Sequence, residues 1–327
     1  MSKFVRKGIY ADLIGQYIDY KRSLGFKMHY QECLLNHFDT FTAERKEHAI
    51  GISKELSDEW SKSRNGESST TRYLRICALK GFSVYLQILG YESYVPKLPK
   101  FNFTYIPHVY SQEDMAAIFK GCDKLIRRVK TPRSSIWVMP TIIRMLYGTG
   151  IRISEALKLK HGDVDLASGV LWLRECKNGQ DRLVPMSNSL VEVCKDYIAF
   201  KEKIGLQVEN QNLFYTAMNG SPCTVKQIEK YFHIVLFREG INNAGCLHSL
   251  RHTMASNALV KMSSAGMDLY YSLPILMTYL GHQSLRATNH YVRTTHEMYP
   301  ELIRKNDEIC KYVFPDIIYE TENDEEL

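Results

Sequence analysis

Two short stretches in the last third of the chain combine arginine, histidine and tyrosine at spacings that suit phosphate chemistry. His248 and Arg251 stand three residues apart, so in a helix they would lie on the same face. His282 follows 31 residues after Arg251, and Tyr291 follows nine residues after that histidine. Arg152 comes directly after a glycine-containing turn and opens another predicted helix. Two guanidiniums, two imidazoles and a phenol suit one task, which is to hold a phosphodiester while a tyrosine attacks it.

The attack of a tyrosine on a phosphodiester has three physical requirements. Negative charge gathers on the non-bridging oxygens in the transition state, so cationic donors must be fixed around them. Arg152 and Arg251 fit this role, because a guanidinium stays charged and can grip two oxygens at once. The tyrosine must lose a proton despite an ordinary pKa near ~10, so a neighbouring base is needed, and His248 or His282 could serve. The leaving 5′ oxygen must gain a proton.

The order Arg…Lys…His-x-x-Arg…Gly-His…Tyr resembles that of the tyrosine recombinases, the phage integrase and Xer family. In that family a lysine on a β-hairpin protonates the leaving oxygen. Lys177 stands in the matching place, since Asn178-Gly179 between two apolar runs is a strong hairpin signal. The resemblance implies that Arg152 and Arg251 clamp the phosphate and that Tyr291 is the nucleophile. It implies that Lys177 is the general acid and that His248 and His282 handle protons. It also implies that Glu155, one turn past Arg152, orients the groups of the site.

The resemblance implies that no metal or cofactor is needed, because cleavage and rejoining exchange one phosphodiester for another. The chain also lacks the phosphate-binding P-loop sequence. A different interpretation is a zinc site at His248 and His252, which are four residues apart, although no third ligand shares their spacing. The nucleophile has rivals among the neighbouring tyrosines, which are Tyr270, Tyr271, Tyr279 and Tyr299.

Composition predicts a globular protein of two domains in the cytoplasm, and the resemblance implies that it acts at the nucleoid. Of 327 residues, 45% are apolar and 24% are charged, which is close to globular averages. We expect no membrane span or secretory signal, because no run of eighteen apolar residues occurs. The eight cysteines include no Cys-x-x-Cys pair, which favours free thiols in a reducing compartment.

The charge distribution favours a nucleic-acid partner. Residues 1–109 carry 16 basic and 11 acidic residues, and residues 110–312 carry 26 and 19, so their net charges are +5 and +7. The last fifteen residues carry six acids and no base, which accounts for the total of +6. Cationic surface supplies sequence-independent affinity for phosphates, although many basic proteins bind no DNA.

Residues 1–95 are predicted to form a helical domain, and the resemblance implies that this domain binds the DNA core site. Apolar spacing indicates four helices at about 10–26, 29–45, 53–60 and 68–90. Residues 96–109 are predicted to be an extended linker, because prolines remove backbone donors and fix φ. The basic residues that we assign to the DNA backbone are Arg64, Arg72, Arg75, Lys80, Lys97 and Lys100, and a solvated helix face is the alternative.

Residues 110–312 are predicted to form the catalytic domain, mainly helical with a small antiparallel β-sheet. A hairpin is expected between 170–173 and 183–186, and Ser111 is expected to cap a helix. Further helices are expected at about 136–147, 188–204, 224–239, 247–261, 273–281, 284–292 and 296–311. The stretch 262–273 looks several residues longer than the short turn usual in the family. We therefore expect a surface loop there and an uncertain helix register before His282.

Residues 313–327 form a tail that is first apolar and then acidic. In the family a C-terminal segment docks onto the next protomer, so the resemblance implies a homo-tetramer on double-stranded DNA that carries specific recombination sites. Folding of the apolar part back on its own domain is the alternative. Partner recombinases or accessory factors are further expected partners.

The resemblance implies a site-specific recombinase that works through a 3′-phosphotyrosyl intermediate and a Holliday junction. We favour the integration or transposition of a mobile element, because of the long loop and the divergent first domain. Two alternatives stay open. One is a type IB topoisomerase-like enzyme that relaxes DNA, and the other is a non-catalytic DNA-binding accessory factor.

Overall fold

The structure of the chain is a computed structural model that describes residues 8–100, 107–127, 135–174, 181–203, 211–216, 220–241 and 245–282. The chain divides into two compact units, Met1–Thr104 and Tyr105–Leu327. The finer division at residues 95, 109 and 312 stays a prediction. No helix in the described ranges is both long and apolar enough to cross a membrane.

The first unit contains the four helices that the apolar spacing predicts. They are α1 (Ala11–Ser23), α2 (His29–Glu44), α3 (Lys54–Trp60) and α4 (Ser69–Ile88). Two helices begin at serine caps: Ser53 Oγ accepts a hydrogen bond from the Leu56 amide, and Ser68 Oγ accepts one from the Thr71 amide, both 3.1 Å long. Helix α1 ends before Gly25, whose φ of 88° is the left-handed conformation that glycine adopts easily.

The core of the first unit is aromatic. The rings of Phe38 and Trp60 meet edge to face with centroids 5.2 Å apart, and Phe82 packs on Tyr10 at 5.9 Å. A buried carboxylate, Asp39, accepts hydrogen bonds from the amides of residues 8 and 10 and so holds the start of the described chain on α2. The unit therefore has its own core.

The second unit is mainly helical with one small sheet, as the sequence predicts. Its helices are α5 (Gln112–Arg127), α6 (Met139–Thr149), α7 (Ile153–Ala156), α8 (Asn188–Lys203), α9 (Val225–Arg238), α10 (Leu247–Ser264) and α11 (Leu269–Leu280). Ser111 caps α5 as expected, since its Oγ accepts from the Asp114 amide at 3.0 Å. The expected helices at 284–292 and 296–311 lie outside the described residues.

Three antiparallel strands form the sheet in the order β1 (Val164–Asp165), β2 (Val170–Leu173) and β3 (Arg182–Pro185). Strands β2 and β3 pair as the predicted hairpin, with Leu171 opposite Val184 and Trp172 opposite Leu183. The first pair is buried and the second is exposed, which is the alternation of a sheet with one face on the core. The connecting residues 175–180 lie outside the described residues.

The expected long loop at 262–273 is wrong. Helix α10 continues to Ser264 and α11 begins at Leu269, so only a four-residue turn separates them. Gly266, with φ of 82°, ends α10 in a Schellman turn, in which the Met267 amide donates to the Met262 carbonyl. Pro274 favours a helix start near residue 273, because proline fits best in a first helical turn. The structure accommodates Pro274 inside α11 instead.

Candidate active site

Helix α6 ends at a glycine that directs the chain into the site. The Gly150 amide donates to the Leu146 carbonyl at 2.9 Å, and its φ is 62°. A side chain there would be strained by this φ, and its Cβ would also overlap Cε of Met254 on α10. Gly150 therefore allows both the turn and the close approach of α10. Arg152 follows in an extended conformation, immediately before α7.

Arg152 and Glu155 form a local pair at the start of α7. A carboxylate oxygen of Glu155 accepts from the Arg152 amide at 2.9 Å, and the other oxygen accepts from Arg152 Nη1 at 2.8 Å. The side chain of Glu155 is 6% exposed and that of Arg152 is 20% exposed. The carboxylate thus holds both the backbone and the guanidinium of Arg152. Its role in orienting catalytic groups stays a prediction.

Arg182, which the sequence reasoning missed, completes the coordination of this carboxylate. Its Nη1 and Nη2 donate to Oε1 and Oε2 of Glu155 at 3.2 and 2.8 Å, a forked ion pair. Burial alone would raise the pKa of Glu155, but the hydrogen bonds and charges of Arg182 and Arg152 outweigh it and hold this pKa below its ordinary value. The alternation of side chains along β3 could have revealed Arg182, because it places Arg182 on the same inward face as Val184. A charge on an inward face needs a partner.

Arg251 joins the ends of two helices. It lies on α10 and is 2% exposed. Its Nη1 donates to the Gly150 carbonyl at 2.6 Å, and its Nη2 donates to the Leu280 carbonyl at 2.7 Å. Both carbonyls lie at helix C-termini, where the helix dipoles favour a cation. Nη2 is also 2.9 Å from Nε2 of His282. The second predicted clamp arginine is therefore packed against the turn that precedes the first.

A Schellman turn places His282. Gly281 has a φ of 65°, and the amides of Gly281 and His282 donate to the carbonyls of Thr278 and Met277. A Cβ on Gly281 would lie 2.9 Å from Arg182 Nη1, so this turn packs against the arginine of β3. The structure thus brings Arg152, Glu155, Arg182, Arg251 and His282 into one cluster.

His248 lies one turn before Arg251 on α10, and its side chain is exposed. Its ring meets the buried His252 ring edge to face, with centroids 4.6 Å apart. In the described ranges, no group of three or more His, Cys, Asp or Glu side chains is placed to hold a metal ion. His248 and His252 therefore pack against each other as two imidazole rings. The expectation that the reaction needs no metal stays a prediction.

Two catalytic candidates, Lys177 and Tyr291, lie outside the described residues, as does the tail 313–327. Among the rival tyrosines, Tyr279 is half-buried near the cluster. Burial raises the pKa of Tyr279, against the opposing charges of Arg182 and Arg251. A raised pKa disfavours the phenolate that attack requires, so we keep Tyr291 as the predicted nucleophile.

A groove of about 510 Å³ is lined in part by Glu155, but neither Arg152 nor Arg251 lines it. Its charged lining residues are three bases and three acids, which are Lys158, Lys160, Arg174, Glu155, Asp163 and Asp181. Arg174 is also paired with Asp163 at 2.8 Å. This balance gives the groove little attraction for a phosphate.

The expected DNA contact at Arg75 is wrong, because Arg75 is buried in the first unit. It is 2% exposed, and its guanidinium donates to both oxygens of Glu67 at 2.8 and 2.7 Å and to the carbonyls of Trp60 and Lys62. It holds the segment between α3 and α4 together. The remaining candidates lie at the surface or are partly buried: Arg64, Arg72, Lys80, Lys97 and Lys100. Their contact with DNA stays a prediction.

Comparison with known proteins agrees with this geometry. The family model described as the phage integrase family matches residues 111–298. The protein named integrase/recombinase y4rB of Sinorhizobium fredii is 28% identical over 305 residues, 90% of this chain and 96% of that protein. Tyrosine recombinase XerC of Staphylococcus saprophyticus is 30% identical over 195 residues, 59% of each chain.

Two solved structures share the fold at low sequence identity. A XerH site-specific recombinase bound to palindromic difH substrate, a post-cleavage complex, has a TM-score of 0.61 at 20% identity and covers 86% of this chain and 78% of its own. The Tn1549 transposon integrase in complex with circular intermediate DNA has a TM-score of 0.61 at 18% identity and covers 85% and 94%. With the matched family model and the arginine cluster, these findings identify the chain as a member of the phage integrase family, a tyrosine recombinase that exchanges DNA strands.

Proposed function

We propose that this recombinase cuts and rejoins double-stranded DNA at specific sites through a 3′-phosphotyrosyl intermediate and a Holliday junction. The observation that carries the proposal is the approach of Arg251 to the Gly150–Arg152 turn, through a 2.6 Å hydrogen bond between segments 101 residues apart. This hydrogen bond supports the proposal, because it holds Arg251 against the turn that leads into Arg152, and two guanidiniums that act together could stabilise a pentacoordinate phosphate. The XerH recombinase is bound to a palindromic difH substrate and the Tn1549 integrase is in complex with circular intermediate DNA, which supports DNA as the partner of this chain.

In the proposed reaction, the Tyr291 hydroxyl oxygen attacks the scissile phosphorus and becomes bonded to the 3′-phosphate. The bond from phosphorus to the 5′ oxygen breaks, and Lys177 gives that oxygen a proton. His248 and His282 assist the loss of the tyrosine proton and hydrogen-bond the phosphate. The 5′-hydroxyl oxygen of a partner strand then attacks the phosphotyrosine, the bond between phosphorus and the Tyr291 oxygen breaks, and the tyrosine regains a proton. One phosphodiester has been exchanged for another, so no external energy source is consumed.

We further propose that four copies act together on DNA through the tail 313–327, in the cytoplasm at the nucleoid, with partner recombinases or accessory factors where the element requires them. A role for a mobile element is supported by the name of the y4rB relative, an integrase/recombinase, together with the large share of this chain that it matches. The match to the y4rB integrase/recombinase spans 90% of this chain, whereas the match to XerC spans 59%. The short turn between α10 and α11 removes the long loop as a supporting argument.

A nicked suicide duplex tests the chemistry. It should carry a recombination site recovered from the DNA that flanks the gene, and it should trap a covalent adduct without added metal. Tyr291→Phe removes one oxygen and little packing, so the variant should bind the duplex normally and form no adduct. Peptide mapping should place the adduct between Ala287 and Arg293. An adduct on Tyr279 or Tyr299, or an adduct with the phenylalanine variant, would show that the nucleophile is misassigned.

The products of longer incubations distinguish the alternatives. A branched four-way junction from paired sites supports the recombinase. Relaxation of any supercoiled plasmid without a branched product would favour the type IB topoisomerase-like enzyme. Site-specific binding without any adduct would favour an accessory factor.

A further inference from the structure

Arg182 lies between the two halves of the candidate site. It is the first residue of β3, and its side chain is 13% exposed. Both of its terminal nitrogens hold the carboxylate of Glu155, at 3.2 and 2.8 Å. On its other side it lies against Gly281, whose turn carries His282 to Arg251. One guanidinium therefore contacts both the Arg152 half and the Arg251 half.

The charges of this cluster explain why a third arginine is needed. Glu155 accepts a hydrogen bond from Arg152 Nη1 at 2.8 Å, so a carboxylate lies directly beside a group expected to attract the phosphate. Arg152 and Glu155 alone would be formally neutral, and their field at a phosphate would largely cancel. Adding Arg182 gives the three side chains one net positive charge. In a partly buried site that charge is weakly screened and so acts strongly on a phosphate.

We propose that Arg182 is a positioning residue that neutralises Glu155 and so leaves the positive charge of Arg152 available to the scissile phosphate. The inference rests on the proposed strand-cleavage function. Glu155 can then serve as a rigid support for the backbone and guanidinium of Arg152 without weakening the clamp. The lowered pKa of Glu155 agrees with a carboxylate that stays ionised between two guanidiniums.

Arg182→Met provides the direct test, because methionine keeps an unbranched side chain but has no charge. The rate of adduct formation on the suicide duplex should fall roughly tenfold to a hundredfold, as expected when one nearby charge is lost at an effective dielectric of about 20. Affinity for the intact duplex should change by less than about threefold, since many other phosphate contacts contribute to binding. Arg182→Lys keeps the charge and loses only the forked geometry, so it should retain most of the rate.

A charge-rescue experiment separates positioning from a merely structural role. Glu155→Gln in the Arg182→Met background removes the carboxylate that is no longer neutralised, while its single amide oxygen can still accept one of the two hydrogen bonds that Arg152 donates. The double variant should cleave at least about fivefold faster than Arg182→Met. A structural role predicts the opposite, because the second substitution removes a further ion-pair partner from a buried position.

The outcomes separate this inference from the function on which it rests. Absence of an adduct with the wild-type protein overturns the proposed function and this inference with it. If the wild-type protein forms the adduct, two results would overturn this inference and leave the proposed function intact. One is cleavage by Arg182→Met at the wild-type rate, and the other is a double variant that is no faster than Arg182→Met. If the methionine variant does not fold, the comparison of Arg182→Lys with the folded double variant decides: the inference requires both to cleave.

Discussion

Nη1 of Arg251 donates a 2.6 Å hydrogen bond to the carbonyl of Gly150, so a buried guanidinium on α10 holds the C-terminus of α6. The same side chain holds the C-terminus of α11 through the carbonyl of Leu280. Arg251 is therefore a structural junction of three helices as well as a predicted phosphate ligand. A substitution there should affect both stability and cleavage.

Arg251→Ala should lower the free energy of unfolding by about 2–4 kcal/mol, because two buried carbonyls lose a charged donor. Cleavage of the suicide duplex should fall by about 10²-fold or more. Urea denaturation measures the first effect and adduct formation the second. Arg251→Lys is the matched control: it keeps the charge but cannot reach both carbonyls, so it should lose less stability. Wild-type stability in Arg251→Ala would show that the junction contributes nothing to folding.

Substitution of Arg75 and of Arg64, both in the first unit, should affect different properties: the first should lower stability and the second should weaken DNA binding. Arg75→Ala should destabilise the unit by about 3 kcal/mol, because Glu67 would be left buried without its ion-pair partner. Arg64 is exposed and stacks on Trp60 at 4.4 Å, so Arg64→Ala should cost less than about 1 kcal/mol. It should instead weaken DNA binding and reduce the slope of log K against log salt by about one. Thermal melts and binding titrations at several salt concentrations test both. An equal loss of stability in Arg75→Ala and Arg64→Ala would contradict the distinction between a buried structural arginine and an exposed one.

Lys177→Ala should leave DNA binding intact and slow cleavage, because the leaving 5′ oxygen loses its proton donor. A substrate with a 5′-bridging phosphorothioate should restore the rate, since a thiolate leaves without protonation. Arg251→Ala is the control that this substrate should not rescue. If the sulfur substrate fails with Lys177→Ala, or rescues both variants equally, the hairpin lysine is not the acid.

Lys201 should make stability depend on pH. Lys201 is 4% exposed, its Nζ lies 2.8 Å from Nε2 of His161, and burial lowers the pKa of Lys201 to about 8. Between that pKa and the unfolded value near ~10.4, the unfolded chain binds more protons than the folded chain. The free energy of unfolding should therefore rise as pH increases through this window.

Lys201→Met should remove this rise and should stabilise the protein near pH 7 by about 1 kcal/mol or more, because no charge has to be buried or neutralised. The carbonyl of Leu213 keeps a donor, since the Tyr197 hydroxyl also bonds it at 2.9 Å. Urea denaturation between pH 7 and 10.5 measures the effect. If the free energy of unfolding of Lys201→Met rises with pH as in the wild type, the rise comes from other groups.

Deletion of residues 313–327 tests the proposed assembly. The truncated chain should still form the adduct on a suicide duplex, because the proposed catalytic residues precede the tail. It should form few tetramers on paired sites, measured by native gel or light scattering. Unchanged tetramer formation would show that the tail has no role between protomers.

Local signals in the sequence were sufficient for the helices of the first unit and for the hairpin of the second. Serine caps, glycine stops and apolar spacing act within a few residues, so α1 to α4 and the β2–β3 pairing were predictable. The family pattern was also visible, because its order survives as residue types along the chain. The stretch before His282 was misjudged, since helix formation there depends on how α11 packs against α10.

Tertiary structure alone decided which charges are buried and what they hold. Nothing in the spacing separates Arg75, which is buried, from Arg64, which is exposed. The 101 residues between Gly150 and Arg251, and the 27 between Glu155 and Arg182, exceed the range of any local periodicity. A buried guanidinium must be paired wherever the fold provides acceptors, so its partners follow from the packing of whole helices and strands. The sequence thus determined which groups are present for the chemistry, and the fold determined that Glu155 lies between Arg152 and Arg182.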